Sequence, residues 1–289
     1  MLKTVWLTEQ RNTGKGVAML LGGFDGLHVG HRLLLQRAKE SGYPVGVMTI
    51  VGGKTDGNLF TFFEREYIFR NSGVDFVFEL PFEEIKHLSP QAFLQTLIGE
   101  FSPALFVCGE DFRFGAGACG TPETIKSSTQ VPVEVIPLVE IGGEKVSSGT
   151  IKKMLQAGKT ENVKTLLGEP FSLIGEVVKD RQVGRSLGFP TANIFYPKEK
   201  FPLKEGVYEA CAEIDGKVYK AITNYGARPT FGDNTVVTES YFDGFSGDLY
   251  GKVLQIQFVR YLRGVQKFDG VESLKAQLQE DLRRIREGD

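Results

Sequence analysis

The apolar pattern of this chain changes its period once along the sequence, and that change limits the possible folds more than any other feature. Up to about residue 160, short continuous apolar runs alternate with segments of helical spacing, beginning with Val17-Ala18-Met19-Leu20-Leu21. Further runs at 45–50, 75–79, 104–108 and 131–136 predict strands, and 32–38, 62–70 and 91–98 predict helices between them. Continuous apolar strands separated by helices imply an α/β fold with a parallel sheet covered on both faces. Ligands of such sheets bind at the carboxyl ends of the strands, which marks the loops after Leu21, Ile50 and Cys108.

After Leu166-Leu167-Gly168-Glu169-Pro170 the alternation falls to two residues. The run 207–214, then Asp215-Gly216, then 217–222 has the form of a β-hairpin, because Asp-Gly between alternating segments is a strong short-range turn signal. Strands are expected at 235–242 and 252–262, and helical spacing over 273–285 predicts a terminal helix. The chain of 289 residues therefore reads as two domains, 1–168 and 169–289, the second a β-barrel or sandwich closed by a helix. Domains of roughly 100–200 residues are the norm.

Composition narrows the partners. Lys+Arg 34 against Asp+Glu 36 leaves a net charge of −2, which gives no electrostatic reason to expect nucleic acid or an anionic membrane. Cys108, Cys119 and Cys211 are odd in number and lack metal-binding spacing. The first residues carry charge where a secretion signal needs an apolar run, and no apolar stretch reaches the roughly 18 residues of a membrane span. A cytoplasmic protein acting on small molecules is expected.

Two of the three histidines lie in Gly22-Gly23-Phe24-Asp25-Gly26-Leu27-His28-Val29-Gly30-His31, between the first strand and the first helix. Glycine allows close backbone approach, a helix amino end favours anions, and imidazoles donate to phosphate oxygens. Such donors suit nucleotidyl transfer, in which charge builds on the α-phosphate and the leaving pyrophosphate. The bland alternative is a glycine turn with two structural histidines. Gly53-Lys54-Thr55 ends like a phosphate-binding loop, but Met48 stands where that motif needs glycine, and an ordinary loop is expected. Ser147 or Ser148 is a good helix cap and Gly158 a plausible stop.

The string from Gly22 to His31 resembles the FMN adenylyltransferase branch of the His-x-Gly-His nucleotidyltransferases, as do Gly109-Glu110-Asp111-Phe112-Arg113-Phe114-Gly115 and Val146-Ser147-Ser148-Gly149-Thr150-Ile151. That resemblance implies ATP contacts at Gly22, Phe24, Asp25, Gly30, Asp111, Ser147 and Ser148, with His28 and His31 catalytic.

In the second half, Gly184-Arg185-Ser186-Leu187-Gly188-Phe189-Pro190-Thr191-Ala192-Asn193 resembles the riboflavin kinase signature. Asn224-Tyr225-Gly226-Ala227-Arg228-Pro229-Thr230-Phe231, Glu239 and Gly247-Asp248-Leu249-Tyr250-Gly251 follow in the order and spacing of that family. The resemblance implies ATP at Gly184, Arg185, Pro190 and Thr191, Mg2+ at Thr191 and Asn193, flavin at Asn224, Arg228 and Phe268, and Glu239 as catalytic base. A neutral alcohol attacking a phosphoryl group gains from such a base, and hydroxyl and amide oxygens suit a hard cation.

A bacterial-type bifunctional enzyme is thus expected, making FMN from riboflavin and FAD from FMN with ATP. Departures fall mainly in the first half: the loop after Ile50 lacks the usual His-Pro, Gly23 replaces an expected Asn, and Gly149, Thr150 and Lys152 stand where Thr, a variable residue and Arg are usual. In the second half, Lys179-Asp180 and Gly264-Val265 depart from the family pattern. Two alternatives follow: a riboflavin kinase with a degenerate adenylyltransferase module, and a flavin-binding regulator without turnover. Retention of Glu239, Thr191 and Asn193 argues against the regulator.

Overall fold

The computed structural model describes residues 3–7, 16–53, 56–179, 189–227 and 236–288. The chain divides into two compact units, 1–150 and 151–289.

In the first unit β1 (Lys3–Trp6), β2 (Val17–Leu21), β3 (Val45–Val51), β4 (Phe76–Pro81), β5 (Pro103–Gly109) and β6 (Val133–Ile136) form a sheet in the order β1-β4-β3-β2-β5-β6. Strands β2 to β6 are parallel, and β1 is added antiparallel on the edge of β4. The helices are α1 (Val29–Glu40), α2 (Phe62–Asn71), the short α3 (Phe82–Ile85), α4 (Pro90–Phe101) and α5 (Pro122–Ser128). Met19, Met48, Phe78 and Phe106 of the sheet pack with Phe93 and Leu97 of α4 in a continuous apolar core. Strands β3 and β4 lie on one side of β2, and β5 and β6 on the other. The loops after β2 and β5 therefore leave in opposite directions and open a crevice, the place where open α/β sheets hold ligands.

Two elements too short for any periodic signal follow β6. Strands β7 (Glu140–Ile141) and β8 (Glu144–Lys145) form a hairpin whose turn residues, Gly142 (φ 63) and Gly143 (φ 79), are both left-handed, as a type I′ turn requires. Helix α6 (Ser148–Ala157) comes next, capped by Ser147, whose Oγ accepts the Thr150 N–H at 3.2 Å. Gly158 (φ 75) stops it. Thus Ser147 caps α6, and Ser148 is its first residue.

The division between units falls in the first turn of α6, ahead of the boundary expected after Gly168. The reason lies in α7 (Thr160–Leu167), whose buried Val163, Leu166 and Leu167 form the face toward β9 (Phe171–Glu176) and β14 (Val253–Arg263). With β10 (Thr191–Phe195), β11 (Gly206–Ile214), β12 (Lys217–Ala227) and β13 (Val236–Phe242), these strands form an antiparallel sheet ordered β10-β13-β12-β11-β14-β9. Its edges meet where the Val178 N–H donates to Asn193 O at 2.9 Å, so one sheet curls into a barrel rather than splitting into a sandwich. Asp215 (φ 51) and Gly216 (φ 80) make the expected β11–β12 turn. Helix α8 (Val271–Glu287) lays Leu282 and Ile285 on Val207, Ile222 and Leu262.

Two candidate active sites

The crevice of the first unit holds a cavity of about 300 Å³. Every residue of this unit to which the resemblance gives an ATP or catalytic role lines it: Gly22, Phe24, Asp25, His28, Gly30, His31, Asp111, Ser147 and Ser148. The walls come from the loops after β2 and β5, the β7–β8 hairpin and the start of α6. Among the described residues, none of the loop after β3 lines the cavity, and Lys54 and Thr55 of the rejected phosphate-loop motif lie outside the described residues.

The backbone of the first loop is shaped around its rings. Phe24 adopts φ 34, a left-handed conformation costly for a residue with a side chain, and its buried ring stacks on His31 with centroids 4.2 Å apart. A Cβ on Gly22 would sit 2.9 Å from the Phe24 ring, and one on Gly30 3.2 Å from the His28 ring, so both glycines make room for aromatic neighbours. A Cβ on Gly23 would meet nothing within 4 Å.

The histidines are held in different tautomers. His28 is the N-cap of α1, and its Nδ1 accepts the backbone N–H of His31 at 3.2 Å, so its proton is on Nε2. Burial holds the His28 pKa down at about 4, and the attraction of Asp111 only partly offsets this. His31 Nδ1 lies 2.8 Å from Gly26 O, which can only accept, so this nitrogen carries the proton. The two rings therefore differ as donors: neutral His28 donates through Nε2, whereas His31 Nε2 donates only in a doubly protonated ring.

Lys145 and Arg113, which the sequence reading left without a role, also line the cavity. Lys145 forms an ion pair with Asp111, which brings an ammonium and a carboxylate to the side facing His28. Only the two-residue strand β8 aims Lys145 there, and no sequence signal announced it. Lys152 takes a different course: its Nζ lies over the Phe201 ring, 5.0 Å from the centroid, and it is not among the cavity-lining residues. Two helix amino ends, a neutral imidazole donor and an ammonium are groups that attract anions.

In the second unit two cavities share Thr191. The larger, about 520 Å³, is lined by Pro190, Thr191, Phe245, Asp248 and Tyr250, among others. The smaller, about 260 Å³, has Thr191, Asn224, Glu239 and Phe268 on its walls, with Phe189, Tyr241, Arg263 and apolar residues of α8. Glu239 stands directly opposite Asn193 on β10 and Asn224 on β12, so the three side chains form a row on one face of the sheet. Thr191, two residues before Asn193, projects from the same face. Asn193 is 5% exposed and lines neither cavity. Gly184, Arg185 and Arg228 lie outside the described residues. Arg263 and the buried Asp281 that grips it were not anticipated.

A cation- and imidazole-lined crevice in an α/β unit, joined in one chain to a barrel with two cavities that share Thr191 and a carboxylate, Glu239, on the smaller one, has the features of a two-module phosphate- and nucleotide-transferring enzyme. A family model described as FAD synthetase matches residues 10–150, and one described as riboflavin kinase matches 167–288. The chain belongs to the bifunctional riboflavin kinase/FMN adenylyltransferase family. The protein of that name from Bacillus subtilis (strain 168) is 30% identical over 97% of this chain and 96% of its own. The one from Escherichia coli (strain K12) is 31% identical over 94% and 93%. A crystal structure titled macrolide-efflux protein from Streptococcus pneumoniae superposes with a TM-score of 0.83 at 29% identity, covering 96% of each chain. No helix among the described residues is long and apolar enough to cross a membrane.

Proposed function

We propose that this chain phosphorylates riboflavin to FMN in its second unit and adenylylates FMN to FAD in its first, using ATP in the cytoplasm for both steps. The observation that carries the kinase assignment is Thr191, which lines both cavities of the barrel. A nucleotide in the larger cavity and a flavin in the smaller would meet at this residue, with Glu239 beside the flavin. Glu239 takes the proton of the ribityl hydroxyl as its oxygen bonds to the γ-phosphorus and ADP leaves.

Mg2+ fits the Thr191 hydroxyl, which lines both cavities, while the Asn193 amide lies buried on the same face behind it. The Thr191 hydroxyl and Asn193 amide are hard ligands, while no cluster of three or more His, Cys, Asp or Glu among the described residues offers an all-protein site. The cation, when bound, would neutralise charge on the ATP phosphates.

In the first unit, an already ionised FMN phosphate oxygen attacks the α-phosphorus of ATP and pyrophosphate leaves, so no base is required. His28 Nε2–H, Lys145 and the amino end of α6 stabilise the charge that develops there. The deciding experiment incubates the protein with riboflavin, ATP and Mg2+ and separates the flavins by chromatography. FMN followed by FAD is expected. FMN alone would leave a kinase with a degenerate first module, and neither product would overturn the proposal.

A further inference from the structure

One wall of the cavity that holds Glu239 has a construction that phosphoryl transfer does not explain. Arg263 ends β14, and both it and Phe268 line the cavity, the guanidinium carbon lying 5.9 Å from the centre of the Phe268 ring. Asp281 of α8 grips that guanidinium: Nε is 3.1 and 3.0 Å from Oδ1 and Oδ2, and Nη2 is 2.7 Å from Oδ2. Gln277 Nε2 donates to Asp281 Oδ1 at 3.0 Å. Asp281 is 0% exposed and does not line the cavity. Arg263 Nη1 donates to Gly264 O at 3.3 Å, fixing the start of the segment that leads to Phe268.

Helix α8 has several anchors besides this pair. Leu282 and Ile285 already seat it on Val207, Ile222 and Leu262, Lys220 Nζ donates to Ile285 O at 2.5 Å, and Arg286 pairs with Asp243 at 2.8 and 2.7 Å. Burying two charges is unfavourable compared with burying two apolar groups of the same size. What the pair supplies instead is direction: a carboxylate bound by Nε and Nη2 fixes the plane of the guanidinium as well as its position.

We propose that Asp281 is a positioning residue for the flavin site: by fixing the guanidinium plane of Arg263 against Phe268, it preforms the wall on which the tricyclic ring of riboflavin rests. This inference rests on the kinase reading above. Because a preformed wall lowers the cost of binding rather than the barrier of transfer, its loss should appear in KM for riboflavin and much less in kcat.

The test uses the full chain with Asp281→Asn and Arg263→Lys, each retaining polarity while removing the ionic fork. Losing a charge-assisted hydrogen bond is expected to weaken riboflavin binding on the order of 10-fold. KM for ATP and the rate of adenylylation of supplied FMN should stay at the parent values. Titration of riboflavin fluorescence without ATP measures binding directly. If the parent chain bound riboflavin without phosphorylating it, the proposed kinase would fail while the titrations still decided the role of Asp281. Unchanged riboflavin affinity in both variants, or equal loss of both substrates together with a lowered melting temperature, would reduce the pair to a strut and overturn the inference. Absence of riboflavin binding by the parent chain would overturn both.

Discussion

His28 lies flat against His31, the ring centroids 3.6 Å apart and the planes inclined by 15°, while His28 Nδ1 accepts the His31 backbone N–H. One contact fixes ring orientation and tautomer together, so the proton of His28 is directed away from its own helix. Burial keeps this ring neutral at ordinary pH, with a pKa of about 4 against 6.5 when exposed. The donor on Nε2 is therefore present without any need for protonation.

A pH dependence follows. Between about 6.5 and 4 the unfolded chain protonates His28 and the folded chain does not, so this group lowers stability as pH falls through that window and leaves it unchanged above. His28→Asn removes the titration and keeps a side chain able to accept the His31 N–H. Melting temperature measured from neutral pH towards 4 should fall less steeply in the variant than in the parent. Parallel curves would mean that His28 does not titrate abnormally.

His28→Ala should cut FAD formation from supplied FMN by about 10²–10³-fold, the scale for a lost transition-state donor. Lys145→Ala should cost about 10²-fold by the same reasoning. Riboflavin phosphorylation should persist in both, because the barrel residues are untouched. Equal loss of both activities would point to misfolding.

Glu239→Gln should suppress riboflavin phosphorylation by roughly 10²–10⁴-fold, as expected for loss of a general base, and leave adenylylation of supplied FMN intact. The amide keeps the shape of the row shared with Asn193 and Asn224, so a defect would report chemistry rather than packing. Unchanged FMN production would remove Glu239 from the mechanism.

The parts legible in the sequence are those whose burial repeats. Strands β2 to β5 lie between two helical layers, and their continuous apolar runs gave them away; the Asp215-Gly216 turn announced β11 and β12. Strand β1 escaped because a four-residue edge strand in a polar terminus has no pattern to show. Strands β7 and β8 are two residues each, below any period, yet they carry Lys145 into the cavity. The row of Asn193, Asn224 and Glu239 depends on the register of three strands, which spacing along the chain does not encode. Motif strings pointed to His28, His31, Asp111, Ser147 and Ser148, which line one cavity, because glycine-rich loops bring their own residues together, but not to Lys145, Tyr241 or Arg263. Asp281 acts across α8 and β14, and only the folded helix brings it to Arg263.

The last prediction concerns the balance between the two activities. The departures from the family pattern lead to the expectation that FMN builds up ahead of FAD in a reaction started with riboflavin and excess ATP. The structure redistributes the cause. Lys152 is turned onto Phe201 and lines no part of the polyphosphate cavity, so its difference from Arg has little direct bearing on the phosphates. Gly149 is different, for it lies in the first turn of α6, the helix whose amino end faces the cavity. A Cβ there would meet only Ser147 Oγ, at 3.8 Å, an ordinary contact, so a side chain can be added at this position. Gly149→Thr would remove the conformational freedom of glycine, a gain of up to about 0.5 kcal/mol for the helix, and would add a hydroxyl beside Ser147 and Ser148. The variant is expected to shorten the FMN phase and to leave riboflavin consumption unchanged. A time course in which the parent chain forms FAD as fast as riboflavin disappears would show that the departures carry no penalty. A parent chain that accumulates FMN while Gly149→Thr does so equally would place the limiting step elsewhere, with Gly23 and the loop after β3 as the remaining departures to substitute.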